Sequence, residues 1–236
     1  MTTLVACSHG TRSPAGRTVI ARIRAALAVA VPDAAVREAY VDVEQPEVAE
    51  VVADAASRGP VVVLPLLLST GFHTSVDIAA AVAPHPGAVA AEPLGPDGHL
   101  VRALRDRLAA VSGGDAGHRP GDHVVLAAAG STDPAAARAV ERMRDLLSAR
   151  LPAPVTTGYG AGCAPGLPEA VAAARAAGAR RVIAASYVLA PGHFAGLVHR
   201  AGADLVSAPL GDHPEVIAVA AQRYQEARAL LALAVG

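Results

Sequence analysis

The sequence predicts an α/β fold made of two tandem, duplicated parallel-sheet domains that face each other across a cleft. Two observations carry that expectation. Short β-branched runs alternate with longer Ala/Arg-rich stretches along the chain, which is the pattern of a parallel sheet covered by helices. The alternation also occurs twice. Aligning LVACSHGTRSP with VVLAAAGSTDP pairs Gly10 with Gly130 and Pro14 with Pro134 at one offset of about 120 positions. The same offset pairs Val62 with Val182 and His73 with His193. A small drift pairs Tyr40 with Tyr159, Pro46 with Pro165, and the two PLG segments at Pro93 and Pro209, as loop insertions produce in duplicated domains.

The elements follow in order. Strands are expected over Thr3–Cys7, Ala35–Val41, Val61–Leu67 and Ala88–Ala91, and helices over Ala15–Val29, Pro46–Ser57, Ser75–Val82 and Asp97–Val111. In the first of these helices Val19, Ile23, Ala26, Leu27 and Ala30 share one side, while Arg17, Arg22 and Arg24 fall mostly elsewhere. The second half repeats the series: Val124–Ala128, Pro134–Ala149, Val155–Gly158, Pro165–Ala177, Val182–Tyr187, Phe194–Ala201, Asp204–Val206 and Pro214–Leu233. The stretch SGGDAGHRPGD is rich in Gly, Asp and Pro without periodicity and reads as a linker. The expected domains are therefore 1–112 and 122–236, joined by 113–121.

Composition excludes several classes of function. The apolar fraction is 53%, yet the richest run, Val61 to Leu68, is broken by Pro65 and falls far short of the roughly 20 residues of a membrane span. No basic segment followed by a long apolar one opens the chain, so no signal peptide and a cytoplasmic location are expected. Twenty basic residues face 21 acidic ones and aromatics make up 3%, which argues against nucleic acid as partner. The two cysteines, Cys7 and Cys163, form no CxxC, so neither a structural disulfide nor a thiolate zinc site is expected.

Ligands of open parallel sheets sit beyond the carboxyl ends of the strands. The loops there carry Ser8-His9-Gly10-Thr11, Asp42 with Glu44, and Ser69-Thr70-Gly71-Phe72-His73. Two imidazoles and a carboxylate would converge on one rim, a donor set suited to borderline divalent metals such as Fe, Co, Ni or Zn. A neutral imidazole ligates and also accepts protons. Gly10 and Gly71 would let the backbone approach a bulky planar ligand. The hydroxyls of Ser8, Thr11, Ser69 and Thr70, backed by helix N-terminal amides, would hold carboxylates, and Arg12 would pair another. The second half carries Ala129 and Ala161 at the places of His9 and Asp42, so a complete second metal site is not expected, and His193 is taken as a substrate contact.

Three segments together, ACSHGTR, AYVDVEQP and LPLLLSTGFHTSVDI, resemble the class II tetrapyrrole chelatases, above all the cobalt- and iron-inserting sirohydrochlorin chelatases. The resemblance covers essentially the whole chain. It implies ATP-independent insertion of Co²⁺ or Fe²⁺, with Ni²⁺ as a further candidate, into a carboxylate-rich tetrapyrrole for siroheme or cobalamin. By position, His9 and His73 match the family's two site histidines, as metal ligands and acceptors of pyrrole protons. Asp42 stands where many members carry Glu, with Glu44 two residues on as a substitute carboxylate. No cofactor beyond the metal substrate is implied, and internal duplication suggests a monomer. Two other readings stay open: a metal-delivery protein using the same histidines, and a histidine phosphatase, whose RHGxRxP segment SHGTRSP approximates with Ser8 in place of its first arginine.

Overall fold

The structure is a computed structural model that describes residues 1–69, 71–113 and 118–235, without the side chains of 72–75, 232, 234 and 235. Sixteen elements alternate among the described residues: β1 Thr2–Ser8, α1 Pro14–Ala30, β2 Ala34–Tyr40, α2 Val48–Ala56, β3 Val61–Pro65, α3 Phe72–Val82, β4 Ala88–Ala90, α4 Gly98–Ser112, β5 Asp122–Ala128, α5 Pro134–Ser148, β6 Val155–Tyr159, α6 Leu167–Ala176, β7 Arg181–Tyr187, α7 His193–His199, β8 Leu205–Val206 and α8 Pro214–Val235. They form two four-stranded sheets of equivalent order, β2-β1-β3-β4 and β6-β5-β7-β8, with every pairing parallel. The α/β expectation holds for both halves.

Central strands of such sheets are covered on both faces and read as near-continuous apolar runs. Accordingly all five residues of β3 and all seven of β5 are buried. Alternation along the pleat then sorts them. Val5, Cys7, Val61 and Val63 join Val48, Val51, Val52 and Ala55 of α2 and Ile78 and Ala81 of α3 in one core. Val125, Ala127, Val182 and Ala184 join α6 and α7 in the matching core of the other sheet. The helices of both halves begin alike. Ser13 accepts from the Gly16 N–H ahead of Pro14 at the start of α1, and Asp133 accepts from the Ala135 N–H ahead of Pro134 at the start of α5. Both are capping residues followed by a proline whose missing N–H would have been unpaired in any case. Val19, Ile23 and Leu27 form the buried stripe of α1, each worth roughly 1.5–3 kcal/mol relative to exposure.

Two differences from the sequence reading have physical causes. The first concerns where the compact units end. One unit comprises Met1–Leu94 with Val216–Gly236, and the other Gly95–Glu215. Helix α4 follows β4 in the chain but lies against β7, β8 and α5, burying Leu100, Leu104 and Leu108. Its Arg107 Nη2 donates to the Leu210 carbonyl at 2.7 Å. Helix α8 returns to the first unit, burying Val216, Val219, Ala220 and Tyr224, with Arg223 donating to the Pro93 carbonyl and Arg228 paired with Asp33. Each unit thus includes the last helix of the other repeat, and the boundary drawn at 112/122 does not separate the units. Residues 114–117 of the expected linker lie outside the described residues. Asp122, at its end, is a buried strand residue that pairs with Arg181 and accepts the Arg119 N–H.

The second difference is one residue in register. Leu4 pairs with Val62, but Val124, the counterpart of Leu4, pairs with Ile183. Val62 therefore corresponds to Ile183 rather than Val182. The shift persists to the helices, since Gly71 precedes α3 and Gly192 precedes α7. His193 takes the place of Phe72, and Phe194 that of His73. The later PLG pairing stands, because Leu94 N–H donates to Leu67 and Leu210 N–H to Val188 in equivalent positions.

Candidate functional site

Because β1, β2 and β3 run parallel, the loops that leave their carboxyl ends emerge at one edge of the sheet. Register fixes this closely: Ser8 lies opposite Tyr40, Cys7 lies opposite Pro65, and the Leu66 N–H donates to the Cys7 carbonyl at 2.7 Å. His9 follows β1 directly, Asp42 lies two residues beyond the end of β2, and α3 begins beyond β3 with His73 as its second residue. The His73 side chain and all of Thr70 lie outside the described residues. Among the described residues no group of three or more His, Cys, Asp or Glu side chains forms a metal-holding cluster.

The first two loops are tied backbone to backbone. The Val41 N–H donates to the Ser8 carbonyl at 3.0 Å and the Asp42 N–H to the His9 carbonyl at 3.1 Å. Gly10, at φ 93°, is what permits the crossing: a Cβ there would stand 2.2 Å from the Asp42 carbonyl oxygen. The second half repeats the device. Ala161 N–H donates to Ala129, and a Cβ on Gly130 would stand 1.9 Å from the Ala161 oxygen. Gly10 therefore serves the crossing of two loops, a need shared by the half without histidine. Gly71, at φ −80°, lies where any residue is at ease.

With its backbone held, the His9 side chain is exposed and forms no hydrogen bond or ion pair with a described residue. Asp42 is exposed as well, with Oδ1 accepting the Val43 N–H at 2.7 Å, so one oxygen serves the turn and the other remains available. Glu44 does not act as its substitute. Residues 41–46 form a bent loop rather than a strand, so the two carboxylates do not share a face. Glu44, with 13% of its side chain exposed, accepts the Thr11 N–H on Oε1 at 2.8 Å and pairs through Oε2 with Arg17 Nε at 2.8 Å. Arg17 Nε also donates to the Thr11 carbonyl at 3.0 Å. This carboxylate clasps the His9 loop to the Asp42 loop and to α1.

The remaining expected contacts divide. Ser8 is buried at 4% exposure, which takes its hydroxyl away from a ligand at the rim and corrects the expectation. Thr11 is part-exposed, and its Oγ1 accepts the Ser13 N–H at 3.1 Å. Arg12 is exposed, with no ion-pair partner among the described residues. Ser69 is part-exposed. Cys7 is buried beneath the rim, and burial, then the nearby Asp77 charge, pushes its thiol up to about 12, so it supplies no thiolate. In the second half His193 is exposed at the start of α7 and meets Phe194 edge to face, with ring centroids 5.3 Å apart. Sequence reasoning missed the clasp by Glu44 and Arg17. It also missed Val43, which has φ 65°, although the glycine at the aligned position, Gly162, was a visible signal.

Two stretches of the chain, residues 3–111 and 123–227, match the model of the CbiX family, one in each repeat. The chain belongs to that family. Among solved structures, SirB from Bacillus subtilis with Fe³⁺ superposes with a TM-score of 0.80 at 20% identity, over 97% of this chain and 96% of that one. The sirohydrochlorin chelatase SirB from Bacillus subtilis subspecies spizizenii in complex with cobalt gives 0.74 at 21% identity, over 96% and 94%. CbiX, described as the terminal enzyme of siroheme biosynthesis in denitrifying bacteria, gives 0.68 at 23% identity, over 95% and 99%. All three share the fold of this chain from end to end. No curated protein matches it.

Proposed function

We propose that this chain is a chelatase that inserts Co²⁺ or Fe²⁺ into sirohydrochlorin, with its chemistry in the first repeat. The observation that carries the reading is the exposed His9 immediately after β1, on the same sheet edge from which α3 starts, with His73 as its second residue, in a chain of the CbiX family. The relatives with Fe³⁺ and cobalt support metal of this kind as substrate. His9 and His73 are the proposed metal contacts and the acceptors of pyrrole protons as the ion enters the ring. A neutral imidazole suits both tasks, one after the other. Asp42 is the third member, its free oxygen able to take up a proton or approach the ion. Peripheral carboxylates of the tetrapyrrole are assigned to Arg12, Thr11, Ser69 and Thr70, with His193 as a contact from the second repeat.

In this reading the metal is substrate, no resident cofactor takes part, the protein acts as a cytoplasmic monomer, and siroheme or cobalamin is the end product. The donors suit Co²⁺, Fe²⁺ and Ni²⁺ alike, since selection among such ions commonly rests on supply. The test is an anaerobic absorbance assay of sirohydrochlorin with each ion supplied separately. Insertion of at least one ion, faster than the uncatalysed reaction, is expected. Metal binding without any change in the tetrapyrrole spectrum would contradict enzyme function and favour metal delivery.

A further inference from the structure

Val43 is the one non-glycine residue with positive φ among the described residues, at 65°. A β-branched side chain is a genuine outlier there, because its Cβ crowds the adjoining carbonyl. The turn itself does not call for valine. Asp42 and Ala161 make the same hydrogen bond, to His9 and Ala129 respectively, so the corresponding residue of the second repeat is Gly162. It adopts φ 77°, a region that glycine enters without steric cost.

Nor does the valine side chain serve the core. It stands 42% exposed, beside the residue whose N–H holds the His9 carbonyl. The surrounding contacts fix it in this position. Asp42 Oδ1 accepts the Val43 N–H at 2.7 Å, the Glu44 N–H donates to the Asp42 carbonyl at 2.7 Å, and the Glu44 carboxylate is anchored on Thr11 and Arg17. Over-determined strain of this kind, set at a rim of candidate ligands, points to a task for the side chain. An apolar branched group has one thing to offer there, contact with an apolar surface.

We infer that Val43 is a substrate contact, its isopropyl group meeting the apolar face of the tetrapyrrole beside His9. The repeat without the histidine places glycine there and offers no such surface. This inference rests on the sirohydrochlorin reading above, and the experiment separates the two.

Metal-free sirohydrochlorin is titrated into the wild type and into Val43→Gly, Val43→Asn and Val43→Ile, with thermal melts of all four. Glycine and asparagine both tolerate positive φ, while isoleucine keeps the branched apolar surface. Val43→Gly and Val43→Asn are expected to bind roughly five-fold more weakly at an unchanged or raised Tm, and Val43→Ile to bind within about two-fold of wild type. The KM for sirohydrochlorin should follow the affinity, with kcat little altered. Wild-type affinity in Val43→Gly and Val43→Asn would overturn the inference. So would losses accompanied by a lower Tm in both, since the side chain would then support the loop and not the ligand. A wild-type protein that binds no sirohydrochlorin would overturn the proposed function as well.

Discussion

At the first rim the exposed His9 imidazole and the clasped Glu44 carboxylate are subject to different constraints. Among the described residues His9 bonds to the fold only through its backbone, so His9→Ala should leave stability within about 0.5 kcal/mol of wild type. The same change should lower metal insertion by roughly 10²–10⁴-fold, the usual scale for a lost proton acceptor. Glu44→Ala should do the converse in part. It leaves the Thr11 N–H without its acceptor and the Arg17 guanidinium without its carboxylate, with only the Thr11 carbonyl still accepting from Nε, and a cost of about 1–2 kcal/mol in urea unfolding is expected. That figure is kept low because Arg17 is 53% exposed and water takes up part of its charge. Glu44→Gln keeps an acceptor for Thr11 and should lose less. The sequence displayed His9, Asp42 and the drift that aligns Asp42 with Ala161. It did not display the separation of Asp42 from Glu44, because that follows from a backbone turn at Val43 which residue types alone leave open.

Between elements, the parallel pairings were legible in apolar runs such as VVVLP, and the starts of α1 and α5 in Ser13-Pro14 and Asp133-Pro134. The register between repeats was not. VVVLP and RVIAASY are apolar at every relevant position, so a slip of one residue costs nothing in a sequence comparison while moving His193 from the place of His73 to that of Phe72. The glycine crossings give a test at this scale. Gly10→Ala and Gly130→Ala should both destabilise the protein, since each new methyl group would meet a backbone oxygen at 2.2 and 1.9 Å. A harmless Gly130→Ala would show that the crossing is not architectural.

A second test concerns Asp204, which accepts the Val182 N–H at 2.7 Å and pairs with Arg175 of α6. The backbone hydrogen bond from Val182, then that from Arg175, hold its carboxyl below the usual range. A depressed folded pKa stabilises above the unfolded value near ~3.9 and ceases to do so as pH falls through the folded one. Asp204→Asn should therefore cost stability at pH 7, and the difference from wild type should shrink as the pH is lowered through about 4. A deficit that is constant with pH would mean that the carboxylate charge is not what holds α6 to the sheet.

For the whole molecule, duplication was plain in the sequence but the exchange of α4 and α8 was not, because a buried stripe such as Leu100, Leu104 and Leu108 does not name the sheet it covers. Residues 95–215 retain every element of the second unit and should unfold cooperatively alone. Residues 122–236 lack α4 and should not, as near-ultraviolet circular dichroism would show. None of the described helices is long and apolar enough to cross a membrane. The family match spans both repeats, yet histidine stands only at the end of β1, with Ala129 at the end of β5. In the proposed function one repeat performs the chemistry and the other supports it. The most direct measurement is the initial rate of Co²⁺ insertion into sirohydrochlorin by His9→Ala, His73→Ala and His193→Ala at matched concentrations of folded protein. The first two are expected to lose nearly all activity, and His193→Ala to keep most of it. Equal losses in all three, or full activity without His9, would contradict that reading.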